Sequence, residues 1–256
     1  MTRRARIESA TGIYHVMLRG INRQNIFEYK EDFERFKTCL EKAKETGGIQ
    51  IFGYCLMSNH VHIVVCTGDE PIGTSLKRIG VSYVSWYNKK YSRQGALFQD
   101  RYRSEPIEDD RYLLAVLRYI HQNPVKAGIC KSAEKYEWSS YADYTGTGDG
   151  LTDTGFALSI YSKKTAEQVR LFEEFMKEES GDVFVDIDDE ARSPDDVLRE
   201  RIIEICGAKS VAEFQALPPD ERVRAMRLMR AGGMSIRQIV RHTGVSFGIV
   251  RGIGGG

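Results

Sequence analysis

Two runs rich in β-branched and aromatic residues, Ile49–Met57 and His60–Cys66, are separated only by Ser58-Asn59. So short a gap leaves no room for a crossover connection, so the pair predicts an antiparallel hairpin. Alternation then assigns the faces. In HVHIVVC, Val61, Ile63 and Val65 point one way while His60 and His62 share the other. Two imidazoles on one strand face have the geometry to hold a metal ion, and the spacing alone does not require one.

The neighbouring segments build outward from this hairpin. Ile13–Arg19 (IYHVMLR) alternates as a strand. Glu31–Glu45 sets Phe33, Phe36, Cys39, Leu40 and Ala43 along one helical stripe, which Gly47-Gly48 ends. Pro71 opens a second helix through Leu76, Ile79, Tyr83 and Trp86 toward Tyr91, and a short strand follows near Tyr102–Ile107. Asp109-Asp110 starts a third helix, YLLAVLRYIHQN, with Pro124 as its expected terminator. The order β-α-β-β-α-β-α predicts an α+β domain over residues 1–145, a ferredoxin-like antiparallel sheet with flanking helices.

Beyond it the charge changes character. Residues 173–200 carry 12 acidic against 3 basic side chains, and residues 201–256 carry 9 basic against 4 acidic, so the net +1 is an average over unlike segments. Residues 146–192 read as a helical extension (two helices across 156–179) and an acidic linker. Residues 193–256 read as an all-α module. Ser193-Pro194 has the chemistry of a helix start, and Ser210 and Ser235 are each followed three residues later by an acid or amide, Glu213 and Gln238, as in a capping box. The tail SIRQIVRHTGVSFGIVRGI is spaced as a helix-turn-helix, although Val240 stands where a small residue is usual and Gly248 weakens the second helix. No run of about 20 apolar residues occurs, and the five scattered cysteines suit buried thiols, so a cytoplasmic protein without a membrane span is expected.

The third helix offers further chemistry. Tyr119 and Asn123 are one turn apart and stack on one face. Asn123 brings a carbonyl oxygen suited to a hard divalent cation, and Tyr119 a phenol able to act as nucleophile once activated. Each also has a plain structural explanation: a core tyrosine and an asparagine before proline. Tyr112 lies on the same face two turns earlier and is an equal candidate by periodicity. His121 is off that face and reads as solvated.

Four stretches in one order, YHVMLRGINRQNIF, MSNHVHIVV, LFQDRYRSEPIEDDRYLLAVLRYIHQNPVKAGI and YEWSSYADY, resemble the REP-associated tyrosine transposases, within the HUH single-strand DNA transposases. The resemblance spans about residues 13–144. It implies the HUH nuclease fold, with His60 and His62 as metal ligands, Asn123 as the third ligand and Tyr119, rather than Tyr112, as the nucleophile. It implies Mg²⁺ (or Mn²⁺) as the cofactor and a metal-dependent single-strand DNA endonuclease and strand transferase, acting at hairpin-forming repeats through a 5′-phosphotyrosine.

The expected partners are single-stranded or hairpin DNA. Arg19, Asn22 and Arg23 follow the first strand in a loop that matches the family pattern. Arg101 and Arg103, with Lys77, Arg78, Lys89 and Lys90, are interleaved with Tyr83, Trp86, Tyr87, Tyr91 and Tyr102, as a surface that neutralises phosphates and stacks bases would be. Ser246 and Arg251 would let the C-terminal module bind duplex DNA. A DNA-binding regulator without cleavage activity is the alternative, and a hydrolase using water would keep the histidines but not need Tyr119. Oligomeric state, and whether Tyr119 serves its own chain or a second copy, stay open at this level.

Overall fold

The hairpin forms as its spacing requires. In the computed structural model, which describes residues 7–99, 101–178, 184 and 195–253, β2 (Gln50–Met57) and β3 (His60–Cys66) pair antiparallel with Met57 opposite His60. On the other side of β3 lies β1 (Ile13–Arg19), which sets Met17 opposite His62 and Arg19 opposite His60. β4 (Arg103–Ile107) closes the sheet at the edge of β1 and carries Pro106, a residue an edge strand tolerates. The sheet order is β2-β3-β1-β4, antiparallel throughout. With α1 (Lys30–Gly47) between β1 and β2, and α2 (Ile72–Lys90) between β3 and β4, this is the expected ferredoxin-like arrangement.

Strand parity divides the core in two. Tyr14, Val16, Leu18, Val61, Ile63 and Val65 pack with α1 and α2 on one face of the sheet. Ile13, Val64, Cys55 and Met57 pack on the opposite face against α3 (Asp110–Lys126), where Leu113, Val116, Leu117 and Ile120 are almost wholly excluded from solvent. Each such side chain contributes about 1.5–3 kcal/mol by burial. α3 comes close where the β2–β3 register shifts between Ile51 and Gly53. A Cβ on Gly53 would sit 2.6 Å from Leu117 Cδ2 and 3.1 Å from Ile120 Cδ1.

Pro124 does not end α3, which runs two residues further. The stop comes at Gly128, whose φ of 67° lets its N–H reach the Val125 carbonyl at 2.9 Å while Ile129 N–H reaches that of Pro124 at 2.9 Å. This is a Schellman closure, and in the last turn proline forfeits just one intrahelical hydrogen bond.

α4 (Tyr141–Tyr144), α5 (Thr154–Tyr161) and α6 (Thr165–Lys177) complete the α3 side, with Tyr144, Ala157, Phe172 and Met176 in the same core. The C-terminal helices α7 (Asp195–Cys206), α8 (Val211–Ala216), α9 (Pro219–Ala231), α10 (Ile236–Thr243) and α11 (Phe247–Ile253) enclose a core of their own around Phe214, Met229, Ile239 and Val250. The expected helix start at Ser193-Pro194 and most of the acidic linker lie outside the described residues. Ser235 and Gln238 close a full capping box. At Ser210 the box is half made: the hydroxyl accepts from Glu213 N–H at 3.1 Å, but the Glu213 carboxylate accepts from Lys209 N–H at 2.7 Å and from the Tyr29 hydroxyl at 2.6 Å. Glu213 thereby ties this module to the start of α1. Among the described residues no helix is long and apolar enough to cross a membrane.

Candidate active site

β3 delivers His60 and His62 to the α3 side of the sheet, 4 % and 0 % exposed, with ring centroids 4.9 Å apart. A third histidine joins them. His15 of β1 has the same parity, and its Nε2 lies 3.0 Å from His62 Nδ1 with the two rings stacked. On α3, Tyr119 stands edge-on to His62 with ring centroids 5.6 Å apart and lies 6.1 Å from His15. One turn on, the Asn123 side-chain amide is 3.5 Å from His62 Nε2. One chain thus brings together all four residues singled out in the sequence. Tyr112, equivalent to Tyr119 by periodicity, instead meets Glu105 and Phe184.

Hydrogen bonds orient both imidazoles. Asn59 Oδ1 accepts from His60 Nδ1 at 2.6 Å, so Nδ1 carries a proton and Nε2 is the nitrogen left to serve as a ligand. Asn123 Nδ2, which can only donate, faces His62 Nε2 at 3.5 Å, so Nε2 is the acceptor and the proton of the His62 ring sits on Nδ1, 3.0 Å from His15 Nε2. Burial first, then the fields of His60, His15 and Arg19, hold His62 well below the ordinary histidine range, so it is neutral at pH 7. Two imidazoles with anchored Nδ1 atoms, plus an amide able to turn its oxygen inward, form a donor set that fits one divalent cation with positions left for solvent or substrate oxygens. No larger ligand group is at hand: among the described residues no three His, Cys, Asp or Glu side chains are arranged to hold a metal ion.

Further cations flank this group. Arg19, 7 % exposed, sits at the end of β1 opposite His60, inside the site rather than on an outer surface. Lys126 Nζ stands 5.4 Å over the Tyr119 ring. A cavity of about 520 Å³ opens beside Tyr119, lined by Arg118, Lys126, Lys131, Tyr141 and Phe184 among others. Arg118 is paired there with Glu178 at 2.8 Å, and the Phe184 ring lies 4.9 Å from that of Tyr119.

The remaining expected contacts are spread out. Asn22 and Arg23 project from a 3-10 turn (Ile21–Arg23) in left-handed conformations, with φ of 53° and 60°. Arg101 and Arg103 are exposed at the β4 edge, and Ser246 and Arg251 are exposed at and along α11. The basic and aromatic residues of α2 do not border the site. Parity puts that helix on the opposite face of the sheet, where Tyr83 and Tyr87 are core, Arg78 pairs with Glu70 and Lys90 with the buried Asp32. His121 is fully buried, not solvated. Its Nε2 is 2.7 Å from Ser140 Oγ, rings of Tyr141, Tyr144 and Phe172 enclose it, and burial lowers its pKa to about 3. The site also holds His15 and Lys126, which the strand and helix patterns do not single out. His15 was available to the alternation of IYHVMLR, but its partner depends on which strand lies beside β1.

Comparison with known proteins agrees with the fold. The structure is similar to that of a REP-associated tyrosine transposase bound to a REP hairpin, with a TM-score of 0.51 and 17% sequence identity, over 60% of this chain and 90% of that one. At that identity the likeness speaks for the fold. A search of curated proteins found no match. Residues 9–123 match the model of the IS200-like transposases, a stretch that contains every strand of the sheet, the three histidines, Tyr119 and Asn123. This part of the chain is similar to the IS200-like transposases.

Proposed function

We propose that the chain is an HUH-type, metal-dependent single-strand DNA endonuclease and strand transferase acting at hairpin-forming repeats. The observation that carries the reading is the placement of Tyr119 5.6 Å from His62, with Asn123 one helical turn beyond it. His60, His62 and Asn123 would hold Mg²⁺ or Mn²⁺, and their two nitrogen donors suit Mn²⁺ better. Such an ion, when bound, polarises a non-bridging oxygen of the scissile phosphate and offsets charge in the transition state.

The chain's own residues account for the rest. The Tyr119 oxygen attacks phosphorus and the P–O3′ bond breaks. The phenol gives up its proton, the departing 3′ oxygen takes one up, and a 5′-phosphotyrosine and a free 3′-OH result. A phenol ordinarily titrates near 10, so negative charge on its oxygen needs support, and Lys126 at 5.4 Å from the ring centroid supplies a cation for it. Attack by another 3′-OH on the phosphotyrosine reverses the step and transfers the strand. The structural neighbour's REP hairpin supports a hairpin substrate for this chain as well.

The test is a denaturing gel of wild type and Tyr119→Phe with labelled hairpin oligonucleotides in Mg²⁺, Mn²⁺ or chelator. A metal-dependent covalent protein–DNA band is expected from wild type only. Cleavage that survives in Tyr119→Phe without an adduct would make water the nucleophile and sink the transferase reading. Tight hairpin binding with no cleavage in either metal would favour a DNA-binding regulator.

A further inference from the structure

The C-terminal helices are not tethered at a distance from the family domain. They dock on the loop that follows β1. The contact is specific: Arg93, 8 % exposed, donates from Nε to Gln215 Oε1 at 2.8 Å and from Nη2 to Gln24 Oε1 at 3.4 Å, while Gln215 Nε2 reaches the Thr243 carbonyl at 3.3 Å. Gly244, which ends α10, comes so near that a Cβ on it would lie 3.1 Å from Gln24 Oε1. The loop is itself anchored to the β2–β3 turn, since Gly20 N–H donates to the Asn59 carbonyl at 2.9 Å and Ile26 N–H to that of Ser58 at 2.7 Å.

This docking encloses a cleft of about 190 Å³ between the two parts of the chain. Arg23 and Asn59 line it from the family domain, and Arg199, Lys209, Arg241 and His242 from the C-terminal helices, with no aspartate or glutamate among the described lining residues. Two carboxyls border it: Glu213, which accepts from Lys209 N–H at 2.7 Å, and Glu28, 4.0 Å from Arg199, whose pKa burial raises to about 7. The volume is below the roughly 300–1,000 Å³ of sites that engulf drug-sized ligands, so the cleft suits a backbone segment rather than a whole base pair. Arg23 and Asn22 are both left-handed, a strained conformation for non-glycine residues that clusters at functional sites. The cleft also leads to the histidines, because Asn59 lines it and holds His60 Nδ1 at 2.6 Å.

We propose that this cleft binds the sugar–phosphate backbone of the same DNA molecule that enters the His60–His62–Tyr119 site, so that the C-terminal helices extend the substrate interface instead of reading a separate duplex. The inference rests on the proposed function for which DNA enters that site. Binding itself is measured without cleavage. Anisotropy of a labelled DNA hairpin with a single-stranded 5′ extension would be followed in EDTA at 50–300 mM salt, using full-length protein. In Lys209→Gln/Arg241→Gln the slope of log K against log salt should fall by about 1.4–1.8, with weaker binding at every salt. In the single Lys209→Gln, at an exposed side chain, it should fall by about half as much. The control Arg224→Gln/Arg227→Gln removes the same charge from α9, outside the cleft, and should leave the slope unchanged.

A wild-type slope in the double variant would overturn the inference. So would an equal fall in the control, which would assign the effect to overall charge, or a loss confined to blunt duplex, which would make the module a separate reader. Loss of the Tyr119 adduct in the gel assay bears on the nuclease reading alone.

Discussion

Replacing His15 with phenylalanine keeps a ring of similar size beside His62 and removes the nitrogen that sits 3.0 Å from His62 Nδ1. His62 has no solvent exposure, so water does not substitute for the lost acceptor. Two responses are open to the ring. It retains Nδ1–H as an unsatisfied buried donor, which costs about 1–3 kcal/mol, or it moves the proton to Nε2 and gives up the lone pair directed at Asn123. Either way the site loses affinity for a divalent cation. Groups that orient a metal-bound histidine are generally worth 10–100-fold, or about 1.4–2.7 kcal/mol. Complete burial puts this pair in the upper part of that range. Titration of Mn²⁺ into full-length protein, read as loss of the free-ion EPR signal, should show binding weakened about 30–100-fold. Urea unfolding run in parallel should change by no more than about 1–3 kcal/mol, since the new ring still fills the space. Mn²⁺ affinity within threefold of wild type in His15→Phe, with binding abolished in His60→Ala, would refute the argument that His15 orients His62.

Other perturbations follow from the same contacts. Gly53→Ala places a Cβ 2.6 Å from Leu117 Cδ2 and must push α3 off the sheet, so adduct formation should drop about 100-fold while circular dichroism stays native. Asp32, fully buried at the start of α1, accepts from the Glu28 and Tyr29 N–H groups at 2.6 and 2.9 Å and from Lys90 Nζ at 2.6 Å. Asp32→Ala should cost about 3 kcal/mol in urea unfolding, the low end for a broken buried pair because Lys90 keeps some solvent. Glu28 has its pKa raised by burial from 4.5 to about 7, so the folded state holds a proton that the unfolded chain releases. Its contribution is therefore full below pH 4.5 and lost as pH rises to about 7, roughly 3 kcal/mol over that window at 1.36 kcal/mol per pH unit. Glu28→Gln should flatten that part of the stability–pH curve, and an unchanged curve would show that Glu28 is not its source.

Periodicity carried most of the fold. β1 and β3 have the bounds that alternation sets, and α1, α2 and α3 begin within two residues of their expected starts. What escaped was whatever needed a partner outside the local pattern. Pro124 reads as a stop until Gly128 is found to supply the closure for one more half-turn. Glu213 reads as the far half of a capping box until Tyr29, 184 residues away in sequence, competes for it. The α2 aromatics read as a DNA surface because their basic neighbours are visible in sequence and the side of the sheet they occupy is not.

The four histidines on the α3 side make the same point in both directions. His60 and His62 are legible because they share one strand. His15 joins them since β1, rather than β4, lies against β3 in a register that puts Met17 opposite His62. His121, two residues from Tyr119, turns away into a pocket that exists because α4 and α6 close over it. A neutral His121 bonded to Ser140, itself fixed to the β2 backbone by Tyr54 N–H at 2.9 Å, then acts as a peg between α3 and the sheet. The helix that presents Tyr119 to His62 is thus located by a histidine on its hidden side as well as by its apolar stripe, and the angle between the two residues, about 200° around the helix, lets one element serve both the core and the site.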